Sequence, residues 1–343
     1  MSVRYSTPLL VLCVALSAVV LASTAAAQAP TRDAGNWVVP RTADGHPDLQ
    51  GNWTNATITR FQREEDKGPV LTWDEVAELE GRAVARVVRG AEPSDPNRAA
   101  PDVTGGVGTY NDFYWDRGKV VAIVNGEPRS SLLTNPPDGR RPPFTSEGEQ
   151  RIAEYRALRE QFGQYDNPEN RPLGERCLMS FGSSAGPPMI PNNAYNNNYT
   201  IVQTSDYVMI VTEMVHDVRI IRLGEPDPLP DHVRPWMGDS WGRWEGDVLV
   251  VETTNIHPLQ TFRGIPPSKH RKVIERFTRV DEETVLYEFT IDDPETYTRP
   301  WGGAIPFKAF REPLYEYSCH EGNYALSAVL SGARYQERQA GRD

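Results

Sequence analysis

The feature that most constrains this chain is a series of short, strongly β-favouring segments that begins at residue 199 and runs nearly to the end. The first, YTIVQTSDYVMIVTEMVHDV over 199–218, reads as two strands with a turn at Ser205-Asp206. Side chains alternate across a strand. In the second strand Val208, Ile210, Thr212, Met214, His216 and Val218 therefore share one face, and Met209, Val211, Glu213, Val215, Asp217 and Arg219 the other. Both faces are largely apolar, so both need cover, which suits a sheet curled round an interior. Residues 218–223 continue the stretch, and a Pro-rich break follows at 226–235. Trp241-Gly242-Arg243-Trp244 leads through a Gly246-Asp247 hairpin turn into a strand at 248–254. Further strands are predicted at 272–280, 284–291, 305–310 and 314–319. Strands so closely spaced predict a mainly β fold, an antiparallel meander closing into a barrel.

Two accessory α-helices precede the sheet. Thr72 and Glu75 form a capping box, Val76, Leu79, Ala83 and Val87 make one apolar stripe, and Gly90 ends a helix over 73–89. Ser146 with Glu149 opens a second over 147–162, with Ile152, Tyr155, Leu158 and Phe162 on its buried face. Both are expected to pack on the outside of the sheet. Strands at 119–125 and 129–134 flank a turn at Gly126-Glu127, and 164–198 is a long aperiodic loop. The organisation read from this is a signal peptide at 1–27, an irregular and helical segment at 28–170 packed on the sheet, a barrel domain at 171–335 and a disordered tail at 336–343.

The N-terminus has Arg4, an apolar run over 8–22 and then Ala25-Ala26-Ala27. This is the pattern of a secretory signal peptide cleaved near Ala27, and the run is too short for a comfortable membrane span. The mature chain is thus expected in the periplasm or outside the cell, with no membrane span. Of three cysteines, Cys177 and Cys319 remain after cleavage. In an oxidising compartment they read as a disulfide; two free buried thiols are the alternative. The net charge of −11, with no basic cluster, argues against nucleic-acid binding. Nothing in the pattern fixes an oligomeric state.

His216-Asp217 and His320-Glu321 are the leading candidate catalytic pairs. A histidine beside a carboxylate on an apolar row is able to exchange protons, although hydrogen bonding to neighbouring backbone is the commoner use for it. Neither an H-x-H nor an H-x-x-x-H spacing is present, so no metal is predicted, nor any other cofactor. Glu213, Glu252, Glu275 and Glu288 sit at strand centres. Arg219, Arg243 and Arg276 are available to pair with them structurally, or Glu252 and Glu275 supply an acid and a base. Trp236, Trp241, Arg219 and Met214 are the candidate ligand contacts, since flat ligands use aromatic walls. Gly182-Ser183-Ser184-Ala185-Gly186 matches G-x-S-x-G, but Pro187-Pro188 follows and no α/β alternation surrounds it, so it reads as a loop.

Pro136-Pro137-Asp138-Gly139-Arg140, His216-Asp217-Val218-Arg219, Trp244-Glu245-Gly246-Asp247 and Tyr315-Glu316-Tyr317-Ser318-Cys319-His320-Glu321-Gly322-Asn323 occur together. With them the chain resembles a broad family of exported, functionally unassigned bacterial proteins, most strongly over 170–334. That resemblance implies export and supplies no catalytic residue. Gly51-Asn52-Trp53 resembles the G-x-W that opens lipocalin-like barrels. The function expected is an exported barrel with a small-molecule cavity, using acid–base chemistry (hydrolase, lyase or isomerase) on a small organic or sugar-like compound. The alternatives are non-catalytic ligand binding and an envelope interaction role.

Overall fold

The computed structural model describes residues 37–93, 97, 115–180, 185–191 and 195–341, with His216 described by its backbone alone. The expected signal peptide over 1–27 and most of the G-x-S-x-G stretch lie outside the described residues.

Nine strands close into a barrel. They are β1 (Gly51–Thr54), then β5 (Asn198–Gln203), β6 (Tyr207–Thr212), β7 (Val218–Leu223), β8 (Asp239–Glu245), β9 (Val248–Thr254), β10 (Lys272–Asp281), β11 (Thr284–Asp292) and β12 (Trp301–Ala309), in that order round the ring. β12 returns to β1 through Trp53 opposite Ala309. Between β1 and β5 in the chain lie a two-stranded ribbon of β2 (Ile123–Val124) and β3 (Glu127–Pro128), and β4 (Leu133–Asn135), which adds to the free part of β12. A Cβ on Gly303 would strike the Leu132 carbonyl there, so only glycine allows that approach. The helices are α1 (Trp73–Gly90), α2 (Ser146–Glu160) and α3 (Ala325–Gln339).

The sheet is not a pure antiparallel meander. A ring of nine strands cannot alternate direction all the way round, and the odd step falls between β7 and β8, which run parallel with Ile221 opposite Ser240. A parallel neighbour needs a long crossover, which the Pro-rich 224–238 segment provides. Asp239 pins it to the seam, accepting from Arg222 Nη2 at 2.6 Å and from the Leu229 N–H at 2.8 Å.

The opening stretch also differs from expectation. The strand does not run on through His216; it reverses in a 3₁₀ turn at Met214–His216, and β6 pairs with β7 with Val211 opposite Val218. The turn holds because the Thr212 N–H donates to the Asp217 carbonyl at 2.8 Å and the Glu213 N–H to the Asn198 carbonyl at 3.0 Å. Val215 adopts φ 61° inside it. The reversal resets the alternation, so Val218 is exposed and Arg219 buried. No Gly or Pro marked the turn, so periodicity alone read through it.

Three further expectations are corrected. Residues 314–319 form no strand, because β1 already occupies the edge of β12. The ring also takes in β1, well before residue 171, and residues 336–339 of the expected tail are the last turn of α3. The apolar stripe of α2 is only half buried: Ile152 is covered, but Leu158 is 55 % and Phe162 49 % exposed. Thr145 and Arg151 fasten the start of α2 to the 295–296 backbone and to the Thr296 hydroxyl. Its far half forms one wall of a cleft.

Side chains fill the interior. Trp53, Tyr199, Phe277, Tyr287, Trp301 and Phe307 are all fully or almost fully buried. Tyr199 stacks on Phe307 with ring centroids 5.4 Å apart, and Tyr287 lies 4.9 Å from the same ring. Cys177 and Cys319 are joined, as expected, with their Cα atoms 5.7 Å apart. The bond is compatible with an oxidising, exported location. No helix among the described residues is long and apolar enough to cross a membrane.

Candidate functional site

The sequence-derived candidates disperse to separate regions. Glu275 on β10 and Arg219 on β7 both point into the barrel and meet there at 2.9 Å, with 0 % and 3 % of their side chains exposed. The Tyr287 hydroxyl donates to Glu275 Oε1 at 2.8 Å and accepts from the Met189 N–H at 2.9 Å. Burial, and after it the Glu275 charge, pushes the Tyr287 phenol well above its ordinary value. The Glu275 carboxylate is thus held by two donors in a sealed interior, which is the use of a structural ion pair.

Glu252 lies on the outer wall, held by Arg243 at 3.0 Å and Lys272 at 3.5 Å. Arg243 also binds Glu245 and lies 5.5 Å from the centroid of the Trp241 ring. Asp217 Oδ2 accepts from the Ser180 N–H at 2.8 Å. Met214 is fully buried beside Val215 and Cys177, where it supports the β6–β7 turn. Trp236 packs on His257 with centroids 3.9 Å apart. His320 and Glu321 are exposed at the turn before α3. The side chain of His216 lies outside the described residues. Of the candidate set, Arg219 and Glu275 are brought together, whereas Glu252, Asp217, Trp236 and Met214 each serve a different local structure.

A cleft that periodicity did not reveal opens on the barrel's flank. It has a volume of about 430 Å³ and lies between α2, residues 169–180 and 186–188, and the 259–264 loop. A second hollow of about 470 Å³ shares Tyr155, Arg159, Arg263 and Gly264 with it, so the two are contiguous. No strand residue lines either one. Arg159, Arg171, Arg176 and Arg263 line the first; Arg141 and Arg156 join in the second.

The turn carrying Arg263 has unusual chemistry. Phe262 and Ile265 exchange both backbone hydrogen bonds at 3.0 Å, which leaves Arg263 and Gly264 as a two-residue turn. Both central residues are left-handed, at φ 50° and 78°. That is the geometry in which Asn-Gly is favoured, and Asn125-Gly126 at φ 53° and 82° makes the ordinary version between β2 and β3. Arginine there carries a strain of about 1 kcal/mol. The Arg263 guanidinium sits 4.2 Å over the Phe61 ring. Partial burial first, and Arg141 second, hold it below its ordinary value. Arg141 lies beside the hydroxyl of Tyr297, a phenol that burial pushes above its ordinary value.

His257 steadies the same loop. Its Nδ1 accepts from the Leu259 N–H at 3.1 Å, which assigns a neutral ring with the proton on Nε2. Burial, then Arg234, lowers its pKa below the ordinary 6.5.

Guanidinium groups have five donors, no acceptor, and stay protonated. The arginines of the cleft therefore offer charged donors and no proton acceptor. In sequence its only signals are Arg156 and Arg159 on the helix and the Arg263-Gly264 pair, because the cleft arises where three distant segments meet. No family model, curated protein or solved structure matches this chain.

Proposed function

We propose that this is an exported protein that binds a small molecule in the flank cleft without transforming it. One observation carries the reading: the open, arginine-lined concavity beside a barrel whose best-placed acid, Glu275, is closed off by Arg219 and Tyr287. The Arg4-to-Ala27 leader pattern and the Cys177–Cys319 bond support export to the periplasm or beyond.

The test is metabolite capture with the purified mature protein, compared with Tyr155→Ala, which removes a ring common to both hollows. Wild type is expected to enrich a compound class that the variant loses, and to return it unchanged. Equal capture by the variant rejects the cleft. Conversion of the captured compound restores the acid–base enzyme reading.

A further inference from the structure

We infer that the ligand of the flank cleft is a small organic anion, a carboxylate on an apolar body, with its charged end held by Arg263, Arg141 and Arg159. This inference rests on the binding reading above and names its ligand class.

Charge is the first support. The chain carries a formal net charge of −11, yet the two hollows together bring six arginines against Glu160 and Glu169. Only Arg171 is neutralised at close range, by Glu175 at 2.8 Å. Arg156, Arg176 and Arg263 make no ion pair with a carboxylate among the described residues. Elsewhere on α2 the chain pairs its arginine: Arg151 takes both Glu147 at 3.2 Å and Glu295 at 3.4 Å. In the cleft two glutamates face six arginines, and among the described residues only Arg171 is paired at close range.

The turn is the second support. Asn or Gly would serve its geometry without strain, and the chain places arginine there. Strained backbone persists where the side chain it presents has a use. Phe61 beneath the guanidinium fixes its plane, so the fork is preorganised. Arg141 brings a second guanidinium to the same hollow, beside the Tyr297 hydroxyl. A planar carboxylate matches two parallel N–H donors of such a fork. Phe144, Ile152 and Tyr155 on one side, with Leu259 and Pro187 on the other, form walls that suit an apolar body.

The test is titration calorimetry of the mature protein with benzoate and with benzamide, its uncharged counterpart of similar shape. Wild type is expected to prefer benzoate by about tenfold or more, the scale of one charge-assisted hydrogen bond, and to lose that preference as salt is raised. Arg263→Asn keeps the turn and is expected to bind both probes alike. Equal binding of the two probes by wild type, abolished by Tyr155→Ala, overturns the anion inference and leaves the cleft reading standing. A benzoate preference unchanged in both Arg263→Asn and Arg141→Gln overturns the assignment of these arginines. Absence of heat with either probe, together with no benzoate protection of Arg263 against phenylglyoxal, overturns the inference and the reading together.

Discussion

Two arginines of this protein are used in opposite ways. Arg219 is sealed in the barrel, and the chain supplies its counter-ion, Glu275, at 2.9 Å. Arg263 stands at the mouth of the flank cleft, over an aromatic ring, with no carboxylate partner among the described residues. A buried charge must be matched inside the same fold, because desolvation leaves it no other partner. A charge at a cleft keeps its hydration until something displaces the water. The interior therefore uses Arg219 and Glu275 on each other, whereas Arg263 on the flank stands over Phe61.

That contrast is easiest to break at the interior pair. Glu275→Ala should lower stability by about 3–5 kcal/mol, because it strands a buried guanidinium. Replacing both partners, as Arg219→Met with Glu275→Leu, should recover most of the loss. Denaturant melts of the three proteins decide it; a single variant as stable as wild type would show that the interior is wet and the sealed description wrong.

The next largest effect separates the flank from the barrel. Cys177→Ser with Cys319→Ser opens a link between residues 142 apart in sequence and should cost about 2–4 kcal/mol. The segment around Cys177 borders the cleft, so hydrogen exchange should rise at 171–180 and 311–324 more than in β9 to β12. A uniform rise would mean that the bond supports the barrel and not the flank.

A smaller effect has the opposite sign. Arg263→Asn should stabilise the protein by about 0.5–1 kcal/mol, since asparagine tolerates the left-handed position at lower strain. A thermal melt shows it. If the variant is less stable, the Phe61 contact outweighs the strain, and arginine sits at this turn for packing.

The smallest effect is one of pH. The folded His257 pKa lies below 6.5, so the unfolded chain binds the proton more readily. Its contribution is present above the unfolded value and is lost as pH falls from there through the folded one. Protonation also takes away the acceptor for the Leu259 N–H. Acid should therefore loosen the 255–271 loop in wild type more than in His257→Asn. Parallel pH profiles for the two proteins would remove His257 from the account.

Much of the fold was legible along the chain. Strand alternation at 248–254, 272–280 and 284–291 is local, because it follows from which face of a strand is covered. The capping box at Thr72 and Glu75 marked the start of α1 for the same reason, since both hydrogen bonds join neighbours in sequence. The disulfide was legible from cysteine number and context. Glu275 stood out as one of four acids at strand centres and Arg219 as one of three arginines able to pair with them, but which of them meet was not legible, because it depends on which strands face each other across the ring.

Only the tertiary structure decided the rest. A strand pattern does not count its own ring, so the closure by β1, the parallel β7–β8 step and the displacement of 314–319 from the sheet followed from edges that were already taken. The turn at Met214–His216 is stabilised by backbone bonds to Asn198 and Asp217, not by turn residues, so it left no local mark. The cleft gathers α2, residues 169–180 and 186–188, and the 259–264 loop from separate parts of the chain. Local preference fixes which segments pair and bury their faces, whereas a concave, charged surface is a property of how separate segments stop short of each other.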